Sequence, residues 1–244
     1  MKRIILLLVM VGIVVLPAIA KDIKPKMVPI PGTNYAILNV EVTQSLYQEV
    51  MGNNPSYFIG IKKFNSIWDD DNNVYYQDYK IVPTRPVENV SWIEAIRFCN
   101  RLSKMNGFKK VYIISEAGKV TLDKSADGFR LPTVEEWVYA AKGGEDYKYS
   151  GSDDLDDVAW YSNNNNGMTH PVGQLDPNGY GLYDMSGNVW EWCWDAYPGH
   201  EDYFRFVCGG SYSSKAGECT VYSRDSANHN GGCNLGFRVV RNIK

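Results

Sequence analysis

The 244-residue chain has no excess of basic side chains. Its 25 Lys and Arg residues stand against 28 Asp and Glu residues, for a formal net charge of −3. No basic run is interleaved with aromatic residues, so we expect no nucleic acid among the partners. With 44% apolar and 22% charged residues, the composition is that of a folded globular protein.

The usual zinc-binding motifs are also missing. None of the five cysteines forms a CxxC pair, and the three histidines form neither an HxxxH nor an HExxH group. A zinc site of the common kinds is therefore not predicted. Because the number of cysteines is odd, at least one thiol has no partner within the chain.

After residue 20 no apolar run approaches the roughly 20 residues needed to cross a bilayer. The one long apolar run, residues 4–16, follows Lys2 and Arg3 and precedes the small residues Ala18 and Ala20. This order is typical of a secretory signal peptide. We predict a signal peptide at residues 1–20 and an exported mature chain, periplasmic, cell-surface or secreted, with no membrane span after cleavage. An uncleaved anchor helix is the alternative.

Three helices are predicted from their caps. Thr43 caps the first, Ser91 and Glu94 form a capping box before the second, and Thr133 and Glu136 form another before the third. No fixed-period repeat and no long linker divides the chain, so a single domain is predicted.

The second half has a different pattern. After residue 150 the helical period disappears, and short β-prone runs at 189–194, 220–222 and 237–240 indicate strands. We predict an α+β fold, irregular and loop-rich, with helices first and a tryptophan-rich β half after them. Seven Trp and 17 Tyr residues predict a large aromatic core, to which we assign Trp92, Trp137, Trp190 and Trp192.

A series of short motifs then follows in a familiar order. They are EVT at 41–43, NPS at 54–56, PVENVSW at 86–92, RLPT at 130–133, HPVG at 170–173, PNGYGLYDM at 177–185, GNVWEW at 187–192, GGSY at 209–212 and GFR at 236–238. The set resembles the formylglycine-generating enzyme or sulfatase-modifying factor family, a variant of the C-type lectin fold. The resemblance implies such a domain at residues 37–244, preceded by an N-terminal extension at 21–36.

The resemblance also implies where an oxidase of this family would hold Cu(I) between two cysteine thiolates. The first position is Ser214 here and the second is Cys219. A serine hydroxyl is a hard, protonated ligand that does not replace a thiolate for Cu(I), so copper is not expected and oxidase activity is doubtful.

The alternative is a formylglycine-generating oxidase or a related maturation enzyme that converts a residue of an exported protein. Its active site would include Cys219, Ser211, Trp192 and Asn234.

Residues 213–234 differ from the rest in being polar and poor in apolar side chains. In relatives with the lectin-type fold this stretch faces outward, and in variable proteins of diversity-generating retroelements it is the diversified one. We predict a surface that binds a protein or glycan; a merely solvated loop is the alternative. Small polar residues with tyrosine suit such a role. The predicted ligand-binding residues are Ser213, Ser214, Lys215, Glu218, Tyr222, Ser223, Asp225, Ser226, Asn228 and His229.

Other roles are implied for single residues. Family members hold Ca²⁺ at the hairpin that contains Asn188 and Glu191, so calcium is a possible cofactor, with hydrogen bonding of the loop as the alternative. Cys193 and Cys219 are predicted neighbours able to form a disulfide, whereas Cys99 is predicted to be a buried free thiol. Arg224 and Arg238 are predicted to anchor buried carboxylates or carbonyl groups.

Overall fold

The computed structural model describes residues 26–59, 63–64, 77–78 and 82–243. The predicted signal peptide at 1–20 lies outside the described residues. Within those residues, none of the helices has both the length and the apolar character that a membrane crossing requires.

The three predicted helices form with the predicted caps. They are α1 Gln44–Met51, α2 Trp92–Met105 and α3 Val134–Lys142, and each begins after a residue whose side chain accepts a backbone N–H of the first turn. Both capping boxes are complete. A fourth, short helix, α4 Leu155–Val158, was not predicted because a single turn carries no apolar period.

The strands build two four-stranded sheets and two short hairpins. In chain order the strands are β1 Met27–Pro29, β2 Tyr35–Leu38, β3 Lys63–Phe64, β4 Gln77–Asp78, β5 Tyr112–Ile114, β6 Val120–Leu122, β7 Phe129–Arg130, β8 Trp190–Ala196, β9 Phe204–Cys208, β10 Arg224–Asn228, β11 Leu235–Gly236 and β12 Val240–Asn242. The first sheet has the order β1-β2-β12-β7 and the second β10-β9-β8-β11.

The α+β class is confirmed, but the helices do not come first. Strands β1 and β2 precede α1, and β2 pairs with β12 at the other end of the described chain. Strand β1 therefore lies within the predicted extension at 21–36 and belongs to a sheet of the domain. Closing the first sheet needs both ends of the chain, a non-local pairing that no short-range pattern reveals.

Two of the three predicted strands need correction. Residues 220–222 form a turn, since Ser223 donates its N–H to the Thr220 carbonyl (2.9 Å) and its Oγ accepts the Thr220 N–H (3.1 Å). Such hydroxyl-to-backbone bonds compete with strand pairing. The predicted strand at 237–240 is split: Phe237 and Val239 lie between β11 and β12, and their carbonyls accept the N–H groups of Val42 and Leu38.

The core is aromatic, as predicted. Trp137 and Trp192 are fully buried and Trp92 nearly so, whereas Trp190 is half-buried and packs against the core. Tyr47 stacks on Phe98 with the ring centroids 5.6 Å apart. Rigid rings packed in this way hold the long loops of the second half in place.

Arg238 is a buried cation that joins the two sheets. Its guanidinium forms an ion pair with Glu191 of β8 (2.6 Å) and donates to the backbone carbonyls of Leu38 and Tyr183. Both side chains of the pair are at most 1% exposed. The predicted anchoring role of Arg238 is confirmed. That of Arg224 is wrong, because Arg224 is exposed on β10 with its guanidinium over the Phe206 ring.

We expect Arg238→Met to lower the free energy of unfolding by about 3–5 kcal/mol, because Glu191 would remain as a buried charge without its partner. Adding Glu191→Gln should recover part of that loss. The measurement is urea unfolding in a double-mutant cycle. Lys109→Met, which breaks an exposed pair with Asp123, is the control and should cost at most about 1 kcal/mol. Additive losses for Arg238→Met and Glu191→Gln would contradict the assigned coupling.

Candidate functional site

The two positions implied for copper are both buried. Ser214 lies beneath the surface because its N–H donates to the Ser211 carbonyl (3.0 Å) in a tight turn, which also brings the two hydroxyl oxygens to 3.5 Å. The predicted exposure of Ser214 is therefore wrong. Its side chain is part of a serine cluster under the loop, to which Ser213 adds a third hydroxyl, 3.1 Å from that of Ser211.

Cys219 packs as an apolar side chain. It is fully buried with Tyr149, Leu155 and Val158, and burial raises the pKa of its thiol to about 12. A Cβ added at Gly210 would lie 2.6 Å from its Sγ, so the thiol fills the space beside the glycine backbone. With a serine at the first position, the site offers a single, enclosed thiol and does not meet the two-thiolate demand of Cu(I).

The remaining residues of the oxidase alternative are held mainly by the framework. Trp192 is fully buried and donates its indole N–H to the Val90 carbonyl (2.9 Å). Ser211 is fully buried, and half-buried Asn234 accepts the Trp190 N–H at its carbonyl (2.8 Å). Ser211, Trp192 and Cys219 are therefore enclosed in the protein, and Asn234 alone of the four is partly accessible.

The predicted pairing of Cys193 with Cys219 is wrong. The thiol beside Cys193 is that of Cys208 on the neighbouring strand β9, with the sulfur atoms 3.7 Å apart. Cys219 lies in a different apolar cluster. Cys99 is a buried free thiol, as predicted, and Cys233 is the one exposed cysteine of the five.

The oxygens of the predicted calcium ligands already have partners. Asn188 donates its amide to Glu41 (2.7 Å), and its Oδ1 accepts a backbone N–H. Glu191 accepts Arg238 at both oxygens (2.6 Å to Oε1 and 2.7 Å to Oε2), and its Oε2 also accepts the indole N–H of Trp137 (2.7 Å). Among the described residues no group of three or more His, Cys, Asp or Glu side chains is placed to hold a metal.

A calcium ion at this hairpin would be repelled by the positive charge of the Arg238 guanidinium, which is paired with Glu191. These residues therefore do not fit calcium.

Two further carboxyl groups share this buried network. Burial, and then the charge of Asp184, raise the pKa of Glu41 well above its usual range. Burial likewise raises the pKa of Asp184 to about 6, although Arg238 and the Gly173 N–H (2.7 Å) favour its charged form. One guanidinium therefore serves three buried carboxyl groups, and the network retains protons that water-exposed carboxyl groups would release.

Outside this framework, the segment 213–234 supplies an accessible surface. Nine of its ten predicted residues are accessible: Ser213, Lys215, Glu218, Tyr222, Asp225 and Asn228 are exposed, and Ser223, Ser226 and His229 are half-buried. We call these nine residues the polar face. Tyr222 alone is 62% exposed. The backbone beneath the polar face comprises the Ala216–Glu218 turn, the 220–223 turn and the edge strand β10.

Two clefts border the polar face. One, of about 500 Å³, lies where His229 and Asn230 meet the start of α2 at Ser91. The other, of about 430 Å³, lies at the end of α3 and is lined by Tyr139, Lys142, Gly144, Glu145, Asp146 and Tyr180. Sequence reasoning missed the second cleft, because its residues come from a helix end and a distant loop. The one available signal was Tyr180 within the PNGYGLYDM motif.

A third group that sequence reasoning missed surrounds Tyr212. Its ring packs edge-on against Phe58 (5.1 Å between centroids), and its hydroxyl lies 3.5 Å from the thiol of exposed Cys233. Glu88, fully buried, accepts the Phe58 N–H (2.8 Å), and burial raises its pKa to about 7. These contacts fix the 54–58 segment against the GGSY loop.

Comparison with known proteins decides the family. The Sulfatase-modifying factor enzyme 1-like domain family matches residues 18–243. The chain belongs to this family. The family resemblance of the sequence motifs and the lectin-like fold are thereby confirmed.

Three members or neighbours of the family are informative. "Chaperone protein LppX" of Paenibacillus barcinonensis is 34% identical, over 86% of this chain and 80% of its own length. The solved structure of "Treponema denticola variable protein 1" has a TM-score of 0.72 and 33% identity, covering 90% of this chain and 92% of that chain. The formylglycine-generating enzyme of Thermomonospora curvata is 34% identical, but over 46% of this chain and 34% of its own length.

The raised pKa of Asp184 predicts a pH effect on stability. Between the ordinary value of 3.8 and about 6, the folded protein holds a proton that the unfolded chain has released. The free energy of unfolding therefore falls as pH rises through this window. Asp184→Asn keeps an acceptor for Gly173, suits the positive φ of 55° and cannot ionise. Relative to wild type, the variant should gain about 3 kcal/mol between about pH 4 and about pH 7.

Urea unfolding across that range is the measurement. Glu116→Gln, which changes an exposed carboxylate outside the network, is the control and should follow the wild-type curve. Parallel curves for Asp184→Asn and wild type would show that Asp184 titrates like an exposed acid.

Proposed function

We propose that this chain is an exported, ligand-binding member of the family that presents the polar face to a protein or glycan and lacks copper oxidase activity. The observation that carries the proposal is the state of the two copper positions. Ser214 offers a buried hydroxyl, and the thiol of Cys219 is enclosed in an apolar cluster. A soft monovalent ion has no pair of thiolates there.

The accessible chemistry favours binding. The polar face combines tyrosine with small polar and charged side chains on turns and an edge strand, over a rigid aromatic core. Rigid support lowers the entropic cost of ordering such residues on binding. This chain is similar to a protein named a variable protein and to one named a chaperone, and each match spans most of the relative's length. These similarities support a role in recognition. Export is supported by the signal-like residues 1–20.

The competing function is that of a formylglycine-generating oxidase or a related maturation enzyme. Enzymes of that name are among the relatives, but the chain spans about one third of the length of the one from Thermomonospora curvata. Cys219 occupies the second copper position, so an oxidase would require copper binding that depends on the Cys219 thiol.

Cu(I) titration with thiol counting separates the two functions. We expect no stoichiometric tight copper binding by the reduced protein. Cys233 should be the one fast-reacting thiol, because the other four are buried, and all five should react after denaturation. Cys233→Ser, the matched control, should remove the fast thiol and leave the copper titration unchanged. Tight binding that Cys219→Ala abolishes, or conversion of a cysteine-bearing peptide to an aldehyde, would favour the oxidase.

A triple substitution tests the polar face. Lys215→Ala, Tyr222→Ala and Asp225→Ala together remove three exposed side chains from it. We expect at least tenfold weaker binding to the ligand identified on a glycan array or by proteomic pull-down, with an unchanged melting temperature. The control replaces Lys110, Ile113 and Glu116, which are exposed at and beside the β5–β6 hairpin. Equal loss in both triples, or in neither, would contradict the assigned surface.

A further inference from the structure

The cleft at the end of α3 has a defined backbone shape. After Lys142 the chain turns through Gly143 (φ 64°) and Gly144 (φ 78°), a left-handed conformation that glycine adopts without strain. The turn carries Glu145 back to accept the Gly179 N–H (3.0 Å). The end of α3 and the 179–181 loop are thereby joined as the two sides of one cleft of about 430 Å³.

Two tyrosine rings form the walls of the cleft. The rings of Tyr139 and Tyr180 lie 6.4 Å apart between centroids, tilted by 36°. Tyr139 is 43% exposed, and its hydroxyl donates to the Pro31 carbonyl (3.1 Å). The Tyr180 ring lies against Gly144, where an added Cβ would come within 3.0 Å of it. Both rings are therefore held in position before any ligand arrives, while part of their apolar surface faces solvent.

The polar groups around the rings have both signs of charge. The Lys142 ammonium is a hydrogen-bond donor, whereas the carboxylates of Glu145 and exposed Asp146 are acceptors. A strongly charged ligand of either sign would meet a like charge within the cleft. The matching ligand has no net charge, many groups that both donate and accept, and C–H faces that pack on aromatic rings. These are the properties of a neutral carbohydrate.

The cleft is continuous with the polar face through one contact. Lys142 Nζ lies 5.8 Å from the centre of the Tyr222 ring, within cation–π distance. Tyr222 thus stands at the rim as a third aromatic surface beside Tyr139 and Tyr180.

We propose that the cleft lined by Tyr139, Lys142, Asp146 and Tyr180, with Tyr222 at its rim, binds a neutral saccharide. The inference rests on the proposed ligand-binding function and assigns a ligand class to one end of its surface. Concave sites with aromatic walls and a few fixed polar groups are the usual form of small-ligand sites.

Saturation-transfer NMR with a panel of free neutral mono- and disaccharides tests the proposal on the full mature chain. We expect saturation transfer to at least one neutral saccharide and none to acidic sugars of similar size. Tyr222→Ala and Asp146→Asn should each weaken that binding about three- to tenfold. Tyr203→Ala is the control, since Tyr203 is 63% exposed and contacts His229 by the other cleft. It should leave saccharide binding unchanged.

Three outcomes would overturn the inference: transfer to no saccharide, transfer to acidic sugars alone, or transfer that neither cleft variant alters. The proposed function is separable from it, because Lys215→Ala and Asp225→Ala change the polar face without changing the cleft. If these two substitutions weaken binding to a captured protein while no saccharide binds, the saccharide assignment fails and the binding function stands.

Discussion

The buried ion pair between Arg238 and Glu191 is the contact on which the architecture depends. Arg238 follows β11, the last strand of the second sheet, and precedes β12 of the first, while Glu191 lies in the middle of the second sheet on β8. The Arg238 guanidinium also donates to the backbone carbonyls of Leu38 and Tyr183. The buried guanidinium is stabilised in this place because two carboxylate oxygens and two backbone carbonyls accept its hydrogen bonds.

The same contact determines what the neighbouring motifs can do. Glu191 also accepts the indole N–H of Trp137, and Asn188 donates its amide to Glu41. The hairpin residues that would offer oxygens to a metal are therefore already bonded to other side chains of the protein. Gly209 and Gly210 then bring the next loop close: a Cβ at Gly209 would meet the Trp137 ring at 2.9 Å, and one at Gly210 would meet Cys219. The glycines thus allow the loop to lie directly on the core, which encloses Cys219.

Local signals in the sequence identified the parts of the fold that depend on local physics. Capping boxes at Ser91 and Thr133 located two helices, because a side chain and a backbone N–H a few residues away suffice to begin a helix. The predicted strand at 220–222 was wrong because a local hydrogen bond competes with strand pairing there. The hydroxyl of Ser223 closes a turn, and hydropathy carries no signal for that bond. The partner of Cys193 and the pairing of β2 with β12 depend on non-local register, which one sequence does not encode in any short window.

In the candidate site, too, the sequence revealed what depends on residue type and not what depends on the folded arrangement. Substitution of a thiol by Ser214 was visible in the sequence, because ligand chemistry follows from residue type alone. Its burial was not visible, since that depends on how the 211–214 turn folds under the loop. The tyrosine cleft could not be predicted either, because Tyr139 and Tyr180 meet only when α3 docks beside the 179–181 loop.

The polar face lies outside the buried framework. Side chains of the polar face contribute little to the core, so they can change without disturbing Arg238, Glu191 or the aromatic packing. A framework whose stability is independent of its exposed residues is what a recognition surface requires.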